Sequence, residues 1–341
     1  MPAALSTPTI PARTPRTPAT ALAILGALAL AALATFALAL AVGSVPVDLA
    51  AIPRALAGAD DAQAAIVRDL RLPRALAAFA AGGLLALAGA LMQVLLRNPL
   101  ADPYVLGISG GAAVAALTAL LAGASALVGP AAFCGALVST LLVFGLARSA
   151  GEHWAWTSTR LLLTGVVVAS GWGALIALLL TLAPDAQVKG MLFWMIGDLS
   201  AAAYATPALA TLAAALVVVL PFARDLNLLA RGEDAATALG VAVPRVTLLL
   251  YVLAAVTTAA AVTTAGSVGF VGLVVPHALR LVLGNDQRLL LPASALAGGT
   301  LLMLADTLAR TVAAPAQLPV GVITALVGVP VFLYLLTRSR S

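Results

Sequence analysis

The sequence predicts an all-α, polytopic membrane protein with about ten transmembrane helices. Hydrophobic residues make up 62% of the chain and charged residues 9%, whereas a soluble domain carries roughly 25% charged residues. A chain of 341 residues could not bury that much apolar surface in one soluble core. Long intervals without a charge also recur, and about 20 apolar residues in a helix cross the hydrocarbon core of a bilayer.

The two termini differ in composition from the rest of the chain. Residues 1–19 are rich in Pro, Thr and Ala, which predicts a disordered cytoplasmic tail. The apolar run from Ala21 to Val42 is about twice as long as the apolar part of a secretory signal. We interpret this run as the first span, with a cleaved signal as the alternative. A single transmembrane domain then covers residues 20–337, and residues 338–341 form a short cytoplasmic tail.

The other spans follow from the charges, because a charge at mid-bilayer costs on the order of 3 kcal/mol or more. The longest uncharged stretch suits two helices with a turn at "GASALVGP". Glycines in "GSVGFVG" break another stretch, and "AQLPVG" interrupts the last one. This pattern leaves the ends of the third, fourth, eighth and ninth helices open. The uncharged intervals are 75–96, 103–147, 161–184, 199–223, 246–279, 289–305 and 311–337.

The positive residues predict the orientation of the chain. With the N-terminus inside, eleven arginines fall on cytoplasmic segments and six positive residues fall outside, which agrees with the positive-inside rule. Arg280 lies within a span and belongs to neither group. The external residues are unexpected under that rule, so we infer that contacts other than membrane insertion retain them. They are Arg54, Arg68, Arg71, Arg74, Lys189 and Arg310.

Several kinds of mechanism lack the residues they need. Ion-coupled carriers usually hold a carboxylate near mid-membrane, but Asp102, Asp198 and Asp306 fall near predicted span ends; such a carrier is the alternative function. The chain has no GxxxxGK[ST] phosphate loop. His153 and His277 are its only histidines and lie in different segments, so we predict no metal site, no cofactor and no catalysis. Energy for transport is therefore expected from another protein.

The segment "LRLPR" places two arginines at one end of an apolar helix. Pro73 lies between Arg71 and Arg74 and predicts a bend at the outer surface that turns both guanidinium groups away from lipid. Two explanations remain open for these charges. They reach the membrane interface along their apolar stems, or they contact another protein.

Two further polar stretches interrupt the apolar pattern. "LLARGEDAATALGVAVPRV", residues 228–246, predicts a short amphipathic helix outside the bilayer that docks a partner, with a solvated loop as the alternative. Pro276, His277 and Arg280 interrupt a later apolar run. The simplest explanation for them is hydrogen bonding to backbone groups that Pro276 leaves unpaired.

Five blocks of sequence together resemble one family. They are "LRLPR", "QVLLRNPLADPYVLGISGGA", "GFVGLVVPHALR", "LPASALAGGTLLMLADTLAR" and "LPVGVITALVGVPVFLYLL". The chain from about Ile66 to Leu336 is similar to the membrane-permease subunit of ABC importers for iron-siderophores, vitamin B12 and haem. The blocks occur in the family's order, which makes the set specific.

The resemblance implies a function and a set of partners. Permeases of this family lie in the inner membrane, have ten helices, form homodimers and pass the substrate along the two-fold axis. A periplasmic binding protein docks outside, and two ATPase subunits dock inside and hydrolyse the ATP. No nucleic acid is involved. Siderophore, cobalamin and haem are not separable from the sequence, although ferric siderophore or cobalamin is favoured.

The resemblance also assigns roles to particular residues. Arg71, Arg74 and Arg310 would meet acidic residues of the binding protein in exposed ion pairs. The chain departs from the family at Gln317, where Glu is usual, and at Gln287, where His is frequent. The ATPase-coupling segment at about 225–244 would use Arg231, Gly232, Glu233, Asp234, Ala236, Leu239 and Gly240. The family's structural motifs would include Asn98, Pro99, Pro103, Gly107, Pro276, His277 and Arg280.

Overall fold

The computed structural model describes residues 17–59, 61–148, 158–200 and 204–338. Within these ranges every regular element is a helix, which confirms the all-α prediction. The predicted tails lie outside the described residues up to residue 16 and from residue 339, whereas Pro18, Ala19 and Arg338, which were assigned to them, are helical. The first helix begins at Pro18 after Thr17, whose side-chain hydroxyl accepts a hydrogen bond from the amide of Thr20. Proline is favourable there because its fixed φ suits the first helical turn.

The α-helices are labelled α1 to α15 in chain order. They are Pro18–Ala41, Ala51–Leu56, Ala62–Ala65, Leu72–Leu95, Ile108–Leu121, Val128–Arg148, Ser158–Leu182, Asp185–Ile196, Ala205–Val219, Ala223–Leu229, Glu233–Ala238, Val243–Ala265, Val271–Leu283, Gln287–Thr311 and Val320–Arg338. A π-helical segment, Ile66–Arg71, joins α3 to α4. Three 3-10 turns, Pro103–Leu106, Ser125–Leu127 and Leu220–Phe222, precede α5, α6 and α10.

Among the described residues, seven helical stretches are long and apolar enough to cross a membrane. They are Pro18–Ala41, Ala62–Leu95, Ser125–Ala147, Arg160–Leu182, Ala205–Leu229, Val243–Ala265 and Gln287–Thr311. Helices α5 and α13 and most of α15 are shorter and also apolar. The structure therefore supports a multi-pass arrangement with seven clear spans.

Most predicted spans coincide with helices, and the differences lie at their ends. Helix α5 begins at Ile108, because a 3-10 turn and the left-handed Gly107 (φ 69°) precede it. The last helix begins at Val320, within the predicted interruption "AQLPVG". Helix α8 was not predicted at all. It is only 12 residues long and carries Asp185 and Lys189, so it gave no uncharged interval of spanning length.

Helix α4 lies at the centre of the molecule. Every residue from Ala80 to Leu96 is buried, and α4 packs against α9, α12, α13 and α14. Glycines allow the closest of these contacts: a Cβ on Gly82 would lie 2.2 Å from the carbonyl oxygen of Gly298 in α14. Small residues let helices approach closely where lipid gives no hydrophobic driving force between them. The α4–α14 pair is thus the scaffold of the fold.

Pro73, where the sequence predicts a bend, does not interrupt the helical structure. Helical structure continues through it from Ala62 to Leu95, with the π-helical turn before Leu72. Pro73 lies in the first turn of α4, and the wider π turn leaves room for its ring beside the preceding carbonyls. Such π turns are rare and often mark functional positions. Here the π segment ends at Arg71, and Arg74 follows one turn later.

Candidate functional site

One group of charged residues lies at the Leu72 end of α4. The Asp306 carboxylate, whose side chain is 1% exposed, lies 2.8 Å from Nη2 of Arg74 and accepts a 2.9 Å hydrogen bond from its Nε. Its other oxygen lies 3.1 Å from Nε of Arg310 in an ion pair without hydrogen-bond alignment. Asp306 and Arg310 are four residues apart and share one face of α14. We call Arg71, Arg74, Asp306, Arg310 and Gln317 the arginine cluster.

Arg71 is held by backbone carbonyls instead of a carboxylate. It is 4% exposed and donates from Nη1 to the carbonyls of Leu40, at 2.6 Å, and Ala41, at 2.7 Å, and from Nη2 to that of Val45. The carbonyls of Leu40 and Ala41 belong to the last turn of α1, where a cation is favourable. Arg71 therefore fixes the end of α1 against α4.

The expectation of exposed guanidinium groups is wrong for Arg71 and Arg310. Arg310 is 5% exposed, and its Nη2 donates to the carbonyl of Ala39 at 3.3 Å. Arg310 lies one turn after the buried Asp306 on the same face of α14, so its side chain points into the bundle. The sequence alone does not show that this face is buried. Arg74 reaches furthest out, and its Nη1 donates to Oε1 of Gln317 at 2.9 Å. Gln317, where the family usually has Glu, therefore affects the surroundings of Arg74 more directly than those of Arg310.

A cavity of about 600 Å³ opens beside the arginine cluster. Arg71, Arg74 and Arg310 line it together with Gln317 and Ser200. The structure thus brings all three predicted docking arginines to one end of the molecule. Their role in docking stays a prediction.

The segment after α4 contains the predicted residues of an inner turn. Oδ1 of Asn98 accepts a hydrogen bond from the amide of Leu100 at 2.9 Å, across Pro99. Pro103 starts the 3-10 turn and packs beside Gly272, where an added Cβ would lie 2.8 Å from the proline ring. The carbonyl of Gly107 accepts a 2.8 Å hydrogen bond from Ser139 Oγ. These residues form a folded connection between α4 and α5.

A short helix, α11, Glu233–Ala238, lies within the stretch where the sequence predicts an amphipathic helix. Gly232 (φ 131°) and Gly240 (φ 84°) flank it with backbone conformations that suit only glycine readily. Ala236 is buried, whereas Leu239 is 59% exposed, so these two apolar side chains lie on different sides of the segment. Exposed residues at this end also include Arg231 and Asp234. The segment presents one large apolar side chain, Leu239, and several charged side chains to solvent.

Pro276 lies inside α13, and Gln93 of α4 meets the helix beside it. Nε2 of Gln93 donates to the carbonyl of Leu273 at 3.2 Å, and its Oε1 accepts from Nη2 of Arg280 at 3.0 Å. His277 is 5% exposed, and neither ring nitrogen has a hydrogen-bond partner in the described part of the chain. Gln93 thus bonds the carbonyl next to that of Gly272, the one that Pro276 leaves without its helical partner, and His277 takes no part in this bonding.

Sequence reasoning missed four of the residues that connect these groups. The sequence marks Asp306 only as an acid near a span end, and it does not mark Gln93. It also does not mark Asn227 of α10 and Asp286, which precedes α14, although their side chains form a hydrogen bond. Gln93 carried a usable signal, because it is the single amide in the uncharged interval 75–96. The others gave no signal, since their partners lie more than 50 residues away in sequence.

Residues 28–338 match the FecCD transport family, and the chain belongs to this family. Among curated relatives, the cobalamin import system permease protein BtuC of Halobacterium salinarum is 42% identical over 83% of this chain and 76% of its own length. The hemin transport system permease protein HmuU of Yersinia pestis is 42% identical over 82% of this chain and 86% of its own. The Fe(3+) dicitrate transport system permease protein FecD of Escherichia coli is 40% identical over 81% and 86%.

A solved structure has the same fold. It is an ABC transporter chain described as of the metal-chelate type and in an inward-facing conformation, with a TM-score of 0.80 and 28% identity. The match covers 93% of this chain and 99% of that one. Together with the seven apolar spans, these comparisons identify a multi-pass permease of the inner membrane from an ABC transport family.

Proposed function

We propose that the chain is the transmembrane permease subunit of an ATP-driven importer. It moves a metal chelate of the iron-siderophore, cobalamin or haem class from periplasm to cytoplasm. The observation that carries this proposal is the placement of two polar surfaces at opposite ends of α4, the arginine cluster and the coupling segment. The 24 residues of α4 rise about 36 Å, enough to separate two faces of a membrane with a core of about 30 Å.

The arginine cluster is the proposed docking surface for a periplasmic binding protein. Its cavity is lined by three guanidinium groups, while the buried Asp306 neutralises only part of their charge. Acidic side chains of a binding protein would complete the pairing. Arg74 is the proposed first contact, and Arg71 and Arg310 hold the ends of α1 and α14 in place beneath it. Complementary charge of this kind sets orientation and encounter rate more than affinity.

The coupling segment is the proposed docking surface for separate ATPase subunits. Leu239 is exposed beside the charged Asp234 and Arg231, which gives an apolar contact with a polar rim. Movement of the ATPase subunits would rock the permease between outward-facing and inward-facing states. The catalytic work then lies on another chain.

We further propose ten spans and a homodimer. The three shorter apolar helices α5, α13 and α15 complete the seven long ones. In α7, an added Cβ at Gly171 would meet nothing within 4 Å in this chain, and Val167, four residues earlier on the same face, is exposed. This face of α7 is open to a second copy. The relatives' names favour cobalamin, hemin and ferric citrate as the classes of cargo to test.

Reconstitution tests the proposed function. The permease, its ATPase subunits and its binding protein are placed in liposomes, and uptake of labelled ferric siderophore, cobalamin and haem is measured. We expect uptake of one chelate that requires ATP and all three kinds of subunit. Uptake driven by a proton or sodium gradient, without ATPase subunits, would instead establish an ion-coupled carrier.

A further inference from the structure

The coupling segment is joined to the scaffold at two separate points. In α10, the side-chain amide of Asn227 makes two hydrogen bonds to the start of α14. Its Nδ2 donates to Oδ1 of Asp286 at 3.0 Å, and its Oδ1 accepts from the backbone N–H of Gln287 at 2.9 Å. Asp286 itself caps α14 by accepting from the amide of Arg288. One side chain thus binds α10 to the first turn of α14.

The second joint connects α11 to the end of α4. Oε1 of Glu233 lies 3.1 Å from Nη2 of Arg97. Apolar side chains of the segment face the bundle beneath these joints, because Leu226, Leu229 and Ala236 are 3% exposed or less. The polar joints therefore fix the direction of a segment whose inner face is already packed.

Arg97 occupies a backbone position where glycine is usual. Its φ is 48°, its amide donates to the carbonyl of Val94, and the amide of Asn98 donates to that of Gln93. This is the helix-ending motif with a left-handed residue directly after the cap, and a non-glycine residue there costs about 1–2 kcal/mol. An arginine at this position destabilises the turn, and what it adds is a charged side chain that reaches Glu233.

We propose that Asn227, Arg97 and Glu233 are positioning residues for energy coupling. They hold the coupling segment to the ends of α14 and α4, so that movement of a bound ATPase reaches the helix pair that carries Arg74 and Asp306 at its other end. The inference rests on the proposed function. It names the contacts that transmit movement of the ATPase to α4 and α14, whereas the proposed function specifies only that a coupling segment exists.

The test measures chelate uptake and ATP hydrolysis in the same proteoliposomes, with ATPase subunits and binding protein present. Arg97→Gly is the decisive variant, because it relaxes the backbone and removes the ion pair. We expect a higher midpoint of thermal unfolding together with a fall of about fivefold in chelate transported per ATP. A purely structural role for Arg97 predicts an unchanged or improved ratio, which would overturn the proposal.

Exchange of the two charges provides a rescue. Arg97→Glu and Glu233→Arg should each lower the ratio of transport to hydrolysis, and the double variant should restore at least half of it. Arg54→Glu, at an exposed arginine of α2 outside the coupling segment, is the control and should leave the ratio unchanged. Failure of the double variant to recover would overturn the role of this pair.

Asn227→Leu tests the other joint at similar volume. We expect hydrolysis within about twofold of the wild type and a ratio lowered about fivefold. If copurification shows that this variant does not assemble, the charge exchange decides the proposal. Wild-type vesicles without ATP-dependent uptake would instead contradict the proposed function, so the two failures are distinguishable.

Discussion

Arg74 and Asp306 are 232 residues apart in sequence and lie 2.8 Å apart in the fold. Their ion pair joins the start of α4 to the last turns of α14, the two helices at the centre of the bundle. Arg310 approaches the same carboxylate from one turn further along α14. Two arginines therefore share a single buried acid at one end of the scaffold, and this gives "LRLPR" and "ADTLAR" a common location.

Loss of the Asp306 charge should destabilise the protein strongly. Asp306→Asn leaves the buried Arg310 and the partly buried Arg74 without a counter-charge, and breaking a buried pair in this way costs about 3–5 kcal/mol. We expect a large drop in the midpoint of thermal unfolding in detergent. Asp69→Asn is the control, because Asp69 is 58% exposed beside Arg68 and should change the midpoint little. Equal shifts for both variants would contradict this account of the cluster.

Arg74 should control stimulation by the binding protein. Arg74→Gln keeps a hydrogen-bonding side chain and removes the charge that reaches furthest out of the cluster. In the reconstituted complex we expect binding-protein-stimulated ATP hydrolysis to fall about threefold or more while basal hydrolysis is kept, since a lost charge pair weakens encounter and orientation. Arg54→Gln, at an exposed arginine on the same predicted side, serves as control. If basal and stimulated rates of ATP hydrolysis fell by the same factor, Arg74 would have a structural role and the docking role would be contradicted.

Gly89 should tolerate no side chain. An added Cβ would lie 1.7 Å from the carbonyl oxygen of Gly272, which Pro276, lacking an N–H, leaves without its helical partner. Gly89→Ala must push α4 and α13 apart, and we expect a loss of stability of about 1–3 kcal/mol. Gly26→Ala in α1, where nothing lies within 4 Å, should be neutral or slightly stabilising. Thermal unfolding of both variants in detergent measures the difference.

Replacement of His277 by an apolar residue should not harm stability. Both ring nitrogens are buried without partners in the described residues, and such groups cost about 1–3 kcal/mol each. His277→Leu removes them, keeps contact with Phe332 and should raise the unfolding midpoint. His277→Gln, which keeps polar atoms at the site, should not raise it. A clear drop for His277→Leu would show that the imidazole has a partner in the native membrane.

Charge spacing predicted much of the fold, because the cost of a charge in lipid is large and depends little on neighbours. The spans around Ala80, Val166 and Leu253 were located in this way. Helices too short to span a membrane are not predicted in this way. In α8, Asp185 and Lys189 lie close together and leave no uncharged interval of spanning length. The π turn before Pro73 also escaped it, since its geometry depends on contacts with the end of α1.

The sequence predicted where the site residues lie, but it predicted only in part what surrounds them. The sequence placed Arg71, Arg74 and Arg310 together through family resemblance, and it placed a short helix at Glu233. It could not show which arginines are buried, because that depends on Asp306 and on the carbonyls at the end of α1. Pairings between distant segments follow from packing of the helices, and no local pattern encodes them.

The sidedness of the two polar surfaces tests the central claim most directly. In a Cys134→Ser background, which removes the single cysteine of the chain, Leu70→Cys and Leu239→Cys place thiols at positions 64% and 59% exposed. Spheroplasts that express the permease without its ATPase are treated with a membrane-impermeant maleimide. The account predicts labelling of Leu70→Cys in intact spheroplasts and of Leu239→Cys only after lysis. Labelling of both variants in intact spheroplasts would contradict it.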